Sequence, residues 1–96
     1  MRVRLTSAAE AELGEALGWY AERAPGAVPR FLEEFESLTR RLAENAHQFP
    51  TVHRELRRAG FRRFPYGLFF TITATDVEVL ACFHASRDPV HWQRRA

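Results

Sequence analysis

Residues 56–89 read LRRAGFRRFPYGLFFTITATDVEVLACFHASRDP and predict three consecutive strands. Apolar and polar residues alternate imperfectly in its first part, residues 68–74 are mostly apolar, and turn-forming residues interrupt the segment twice. The predicted strands cover residues 57–64, 68–74 and 77–84, with turns at 65–67 and 75–76. Arginines are frequent in this segment, which closes on a histidine followed by Arg-Asp-Pro, so it predicts a basic antiparallel sheet.

Two helices are predicted upstream of this sheet. A short strand over residues 2–5 precedes Ser7 and Glu10, which have the spacing of a capping box. Pro25-Gly26 breaks the first helix. The second helix begins near Val28-Pro29 and carries an apolar stripe to about Asn45. The short connection predicts a helical hairpin.

Two weaker signals concern this hairpin and the segment after it. Gly14 and Gly18 lie four residues apart on the first helix, which suggests either close approach of another helix or surface positions that tolerate glycine. Residues 46–51 are predicted to be a loop that Phe49 holds against the core.

The order of elements defines the fold class. Asp88-Pro89 is typical of a helix start, so a short final helix is predicted over residues 90–95. The order β-α-α-β-β-β-(α) predicts an α+β, two-layer fold in which the helical hairpin packs on a mainly antiparallel four-stranded sheet. A length of 96 residues predicts a single domain over residues 1–96.

Composition narrows the functional class. No apolar run reaches the ~20 residues that span a bilayer, and the N-terminus does not have the pattern of a signal peptide, so a soluble cytoplasmic protein without membrane contact is expected. The lone cysteine, Cys82, is predicted to be a core residue. The four histidines show no metal-ligand spacing and no glycine-rich phosphate loop is present, so neither a metal site nor a cofactor is expected.

Charge is distributed unevenly along the chain. All fourteen basic residues are arginine; residues 1–53 carry a net charge of −2 and residues 54–96 a net charge of +4. A cationic second half suits an acidic partner, protein or nucleic acid, because guanidinium groups pair bidentately with carboxylates and phosphates. The candidate partner-binding residues are Arg57, Arg58, Arg62, Arg63 and Arg87.

These segments together resemble the RelE/ParE toxin superfamily of bacterial type II toxin–antitoxin systems. The resemblance covers nearly the whole chain, and the turn FPYG and the ending HxxRDP are closest to the ParE-like branch. The segments that carry it are residues 3–6 with 8–13, Trp19-Tyr20, residues 30–33, residues 56–58 with 62–68, and His84 with residues 87–89 and Trp92.

The resemblance implies two alternative activities. ParE-like members poison DNA gyrase by binding it, and the arginines would then form a binding surface. RelE-like members are ribosome-dependent endoribonucleases that cut messenger RNA. In that reading His84 would be the acid or base, Arg62 or Arg63 together with Arg87 would hold the phosphate, and Tyr66 would contribute a hydroxyl. The chain lacks the sheet lysines and the C-terminal tail of the nuclease subgroup, which favours the ParE-like alternative.

The resemblance also implies a protein partner. Toxins of this superfamily are neutralised by a cognate antitoxin, here expected to be ParD-like with a ribbon-helix-helix domain and an acidic, partly disordered segment. Such a segment would dock on a basic sheet by helix-in-groove or strand-addition binding.

Overall fold

The computed structural model describes residues 1–95 of the chain. Its strands are β1 (Arg2–Leu5), β2 (Thr51–His53), β3 (Leu56–Gly60), β4 (Tyr66–Ile72) and β5 (Asp76–His84). Its α-helices are α1 (Ser7–Arg23), α2 (Val28–Asn45) and α3 (Val90–Gln93), and 3-10 turns at Pro25–Ala27 and Ala46–Gln48 flank α2. The predicted α+β class and the helical hairpin are confirmed.

The sheet has five strands in the order β1-β5-β4-β3-β2, so the predicted four-stranded sheet is wrong in strand number. β1 runs parallel to β5, and the other neighbours are antiparallel. The additional strand, β2, has three residues, too few for an alternating pattern to be visible in the sequence. The β2–β3 turn places Arg54 at a φ of 53°, a left-handed conformation for which arginine gives no signal.

The start of α1 differs from the prediction by one residue. Thr6, rather than Ser7, is the N-cap, because its hydroxyl accepts the Ala9 amide at 3.1 Å. No neighbour lies close to Gly14 or Gly18: a Cβ built at either would meet nothing within 4 Å. The close helix contact predicted from these two glycines is therefore wrong for residues 1–95.

The main core lies between the helices and one face of the sheet. Phe31 and Leu42 of α2 are fully buried there against Phe70, Val77 and Val79 of the sheet. Phe49 is also buried, as predicted for the segment after α2.

A β-bulge changes the predicted alternation of β5. The β4–β5 register shifts between Phe69 and Phe70, which leaves Leu80 without a partner on β4. Val77 and Val79 face the helices, but beyond the bulge Cys82 joins them while Ala81 and Phe83 pack on the opposite face. Strict alternation would place Ala81 and Phe83 on the same face as the valines, and it fails because one residue is inserted.

The boundaries of two strands also differ from the predicted ones. β3 ends at Gly60 rather than at residue 64, and Tyr66 and Gly67 belong to β4 rather than to a turn. Helix α3 ends at Gln93, and the Asp88 carboxylate accepts the Val90 amide at 3.0 Å, which confirms the predicted start of this helix. Among residues 1–95, no helix combines the length and apolar character needed to cross a bilayer.

Candidate functional site

The face of the sheet that points away from α1 and α2 carries a second, smaller apolar cluster. We call this surface the open face and define it by Leu56, Arg58, Phe69, Ala81 and Phe83. Helix α3 covers part of it, because the ring of Trp92 stacks on Phe69 with 4.8 Å between centroids and an interplanar angle of 17°.

Arg58 lies flat on the open face. Its guanidinium carbon is 5.9 Å from the Phe69 ring centroid, within cation–π range. The side chain also crosses the paired residues Gly60 and Gly67: a Cβ at Gly67 would be 2.7 Å from Arg58 Nε, and one at Gly60 would be 2.7 Å from Arg58 Nη1. The two glycines therefore provide the space that the guanidinium occupies. Arg58 forms no ion pair within residues 1–95.

Two further arginines stack on Phe83. The guanidinium carbons of Arg87 and Arg95 lie 4.6 and 4.8 Å from its ring centroid. Arg95 is also paired with Glu12 of α1 through two contacts of 2.9 Å, and the same carboxylate accepts the Cys82 amide at 3.1 Å. The charge of Arg95 is thus neutralised by Glu12, whereas Arg87 forms no ion pair among residues 1–95.

Arg57 has a different environment from its neighbour in sequence. Its guanidinium donates hydrogen bonds to the backbone carbonyls of Phe49 and His47, the latter at 3.3 Å. These bonds tie β3 to the segment that follows α2. Arg57 is half-buried, as Arg58 is, but its guanidinium is engaged by backbone carbonyls, so it is less available to a partner than the sequence suggested.

Arg62 and Arg63 lie in the connection between β3 and β4. The carboxylate of Glu34 on α2 accepts the Arg62 amide at 2.6 Å and the Arg63 amide at 3.2 Å. Both side chains are exposed and border a cleft of about 490 Å³ on the helical side of the molecule. The other residues bordering this cleft are Arg30, Glu33, Glu34, Glu36, Ser37 and Arg40.

The five arginines predicted to form one basic surface therefore lie in three separate places. Arg58 and Arg87 are on the open face, Arg57 is tied to the helical side, and Arg62 and Arg63 border the cleft beside α2. The division has two causes: adjacent strand residues point to opposite faces, and Glu34 holds residues 62–63 away from the sheet.

His84 and Tyr66 lie side by side, with 5.2 Å between ring centroids. Nδ1 of His84 accepts the Ser86 amide at 3.0 Å and lies 2.8 Å from the Ser86 hydroxyl. An amide can only donate, so the neutral imidazole carries its proton on Nε2. Burial, more than nearby charges, raises the pKa of the Tyr66 phenol, which keeps this hydroxyl protonated.

The candidate nuclease residues are only partly brought together. Tyr66, His84 and Arg87 border one cleft of about 170 Å³, while Arg62 borders the separate cleft beside α2. In this arrangement Nδ1 of His84 is occupied by the amide and the hydroxyl of Ser86.

Several residues that organise the site were not identified from the sequence. The contacts of Glu34 with residues 62–63, of Glu12 with Arg95 and of Trp92 with Phe69 all join segments far apart in the chain. Gly60 offered a usable signal, because glycine inside a strand indicates close approach of another group.

Comparison with known proteins agrees with this fold. A family model described as ParE toxin of type II toxin–antitoxin system, parDE, matches residues 3–89. Toxin ParE2 of Mycobacterium tuberculosis, in two strains, is 27% identical over 89 residues, which are 92% of this chain and 85% of that protein. A solved structure of the chromosomal ParDE TA system from P. aeruginosa superposes with a TM-score of 0.76 at 18% identity, covering 88% of this chain and 95% of that one. The chain belongs to the ParE toxin family of type II toxin–antitoxin systems.

Proposed function

We propose that this ParE-family toxin acts by binding DNA gyrase through the open face, with Arg58 and Arg87 as the principal contacts. Both guanidiniums are pre-positioned on aromatic rings, which lowers the entropy lost when they pair with a carboxylate or a phosphate. Arg62 and Arg63 form a second basic contact beside α2. The toxin works in the cytoplasm, where gyrase is present, as a single domain.

The observation that carries this proposal is that the guanidiniums of Arg58 and Arg87 rest on aromatic rings and form no ion pair within residues 1–95. RNA cleavage requires a base for the 2′-hydroxyl, and His84 presents Nδ1 to the Ser86 amide and a proton on Nε2. Binding requires no proton transfer, only arginines whose charges can pair with groups of a partner. The geometry therefore supports a binding toxin better than a nuclease.

An acidic antitoxin neutralises the toxin under this proposal. Arg58, Arg62, Arg63 and Arg87 form no ion pair within residues 1–95, so carboxylates of a partner can reach all four. A ParD-like protein with a ribbon-helix-helix domain is the expected partner, and coverage of the open face would block gyrase.

Ribosome-dependent RNA cleavage is the second candidate, because one observation favours it. Tyr66, His84 and Arg87 border the same cleft, so a hydroxyl, an imidazole and a cation are close enough to face one phosphate. This candidate requires the Ser86 contact to open, so that Nδ1 is released.

Two assays with purified toxin separate these candidates. Inhibition of gyrase supercoiling with accumulation of cleaved DNA, relieved by Arg58→Ala with Arg87→Ala, supports the proposal. Undiminished supercoiling at excess toxin contradicts it. Ribosome-dependent cleavage of messenger RNA that disappears in His84→Ala would support the nuclease instead.

A further inference from the structure

The turn that follows β5 carries Arg87, and two main-chain hydrogen bonds shape its backbone. The Arg87 amide donates to the His84 carbonyl at 2.9 Å, which closes a β-turn. The Ala85 amide donates to the Pro65 carbonyl at 2.7 Å and ties the turn to the residue before β4. The guanidinium of Arg87 lies over the ring of Phe83. The backbone of this turn therefore determines where the charge of Arg87 is presented.

His84 occupies the first position of this turn, and its side chain stabilises the turn a second time. Nδ1 accepts the Ser86 amide at 3.0 Å and is 2.8 Å from the Ser86 hydroxyl. Asparagine and aspartate are favoured at the first position of a β-turn because their side-chain oxygen accepts the amide two residues further on. The imidazole of His84 makes the same contact through a nitrogen, so His84 has the geometry of a turn-forming residue.

This contact requires a neutral imidazole. Both ring nitrogens of a histidinium carry a proton, so Nδ1 would then face the Ser86 amide as a second donor and the hydrogen bond would be lost. The imidazolium would also add a positive charge to the cleft that Arg87 lines. Protonation of His84 therefore loosens the turn and disfavours the position of Arg87 over Phe83.

The other ionisable groups around His84 keep their charge between about pH 5.5 and 7.5, the range in which histidine titrates. Burial raises the pKa of the phenols of Tyr20 and Tyr66 and raises the pKa of the Cys82 thiol to about 12, so all three stay protonated. Carboxylates and guanidiniums do not change their charge in this range. The groups of that kind that line the clefts at His84 are Glu12, Glu15 and Arg87.

We propose that His84 is a positioning residue for Arg87: its neutral imidazole holds the turn that presents this guanidinium on the open face. The role concerns the toxin alone and would serve any acidic partner. Its consequence for gyrase binding rests on the proposed function. In this role His84 takes no part in proton transfer.

The position of Arg87 can be measured without gyrase. The ring of Phe83 shifts the NMR signals of the Arg87 Hδ protons while the guanidinium lies over it, so this shift is compared in the wild type, His84→Asn and His84→Ala at about pH 7.5. The Oδ1 atom of asparagine can accept the Ser86 amide, whereas alanine offers no acceptor. We expect His84→Asn to keep the shift, and His84→Ala to lose about half of it and to exchange the Ser86 amide about three- to tenfold faster. A wild-type shift in His84→Ala would overturn the proposal, as would loss of the shift in His84→Asn.

Lowering the pH to about 5.5 separates the neutral imidazole from a purely steric role. The Arg87 shift should fall in the wild type and persist in His84→Asn. His91→Asn is the matched control, because it removes a second histidine whose ring is 6.4 Å from that of Phe83. This variant should respond to pH as the wild type does. A wild-type shift that does not depend on pH, or a dependence that disappears only in His91→Asn, would contradict the proposal.

The same variants connect the turn to function. At neutral pH His84→Asn should bind gyrase as the wild type does, and His84→Ala about three- to tenfold more weakly. Equal affinities, together with the expected loss of the Arg87 shift in His84→Ala, would contradict Arg87 as a gyrase contact and leave the role of His84 in the turn standing. Ribosome-dependent RNA cleavage that is present in the wild type and lost in His84→Asn would make His84 a catalytic residue and overturn the proposal.

Discussion

Arg57 and Arg58 are consecutive in the chain and lie on opposite faces of the sheet. Arg57 donates to the carbonyls of His47 and Phe49, and Arg58 rests on Phe69 and two glycines. Two neighbouring arginines therefore have different environments: Arg57 ties β3 to the segment after α2, while Arg58 is the residue that we propose presents its charge to a partner.

This relationship makes a pair of alanine substitutions informative. Arg57→Ala should lower the free energy of unfolding by about 1–3 kcal/mol, because two carbonyls lose a charged donor. Arg58→Ala should change stability by less than about 1 kcal/mol and should abolish most of the toxicity. Urea unfolding and a growth assay with induced toxin would check both effects. A toxicity loss confined to Arg57→Ala would contradict the assignment of roles.

Gly67→Ala should reproduce the functional effect of removing Arg58. The new methyl group would lie 2.7 Å from Arg58 Nε, so the flexible side chain would have to move away from its place over Phe69. We expect toxicity to fall while the protein remains folded, as judged by its unfolding curve. Unchanged toxicity would show that the position of Arg58 over the glycines is not important.

Gly18→Ala is the opposite case, because a Cβ there meets nothing within 4 Å. In an exposed helix interior the change should raise the free energy of unfolding by about 1 kcal/mol. Toxicity should stay at the wild-type level, so this variant is the control for Gly67→Ala. A loss of stability would contradict the open space that the structure shows beside Gly18.

Glu34→Gln tests how Arg62 and Arg63 are held. The amide keeps one acceptor oxygen but loses the charge that strengthens both backbone hydrogen bonds, so stability should fall by about 1 kcal/mol. Hydrogen exchange at the Arg62 and Arg63 amides should accelerate. Glu33→Gln, one residue earlier, has no such contact and should leave these two amides as slow as in the wild type.

Much of this architecture could be predicted from the sequence. The apolar stripe of α2 and the turn residues around β4 and β5 identified the helical hairpin and three of the strands, because local periodicity reports which face of an element is buried. Cys82 was also placed correctly in the core.

The remaining features depend on contacts between distant segments. The bulge at Leu80 and the three-residue strand β2 produce no periodic signal, and the carboxylate of Glu34 reaches residues 62 and 63 only after α2 has packed on the sheet. The separation of the arginines into three places follows from such contacts. The sequence gives the number of these charges, but the surface on which each one lies depends on the folded structure.

The thiol of Cys82 gives a pH-dependent prediction. Burial, followed by the nearby charge of Glu12, raises its pKa from 9.0 to about 12. Since the folded pKa is above the unfolded one, the contribution of the protonated thiol to stability is complete below about pH 9 and is lost as the pH rises toward the folded value. The free energy of unfolding should therefore decline above about pH 9, and less steeply in Cys82→Ala. At neutral pH, iodoacetamide should label the thiol only after unfolding in urea.

The affinity of the purified toxin for DNA gyrase tests the central claim most directly. Wild-type toxin, the double variant Arg58→Ala/Arg87→Ala and the matched double variant Arg62→Ala/Arg63→Ala would be compared by calorimetry and by accumulation of cleaved DNA. If the open face is the contact surface, the first double variant should lose at least about tenfold in affinity, and the second should lose less. Wild-type affinity of the Arg58/Arg87 variant, or no binding of the wild-type toxin to gyrase, would contradict the account.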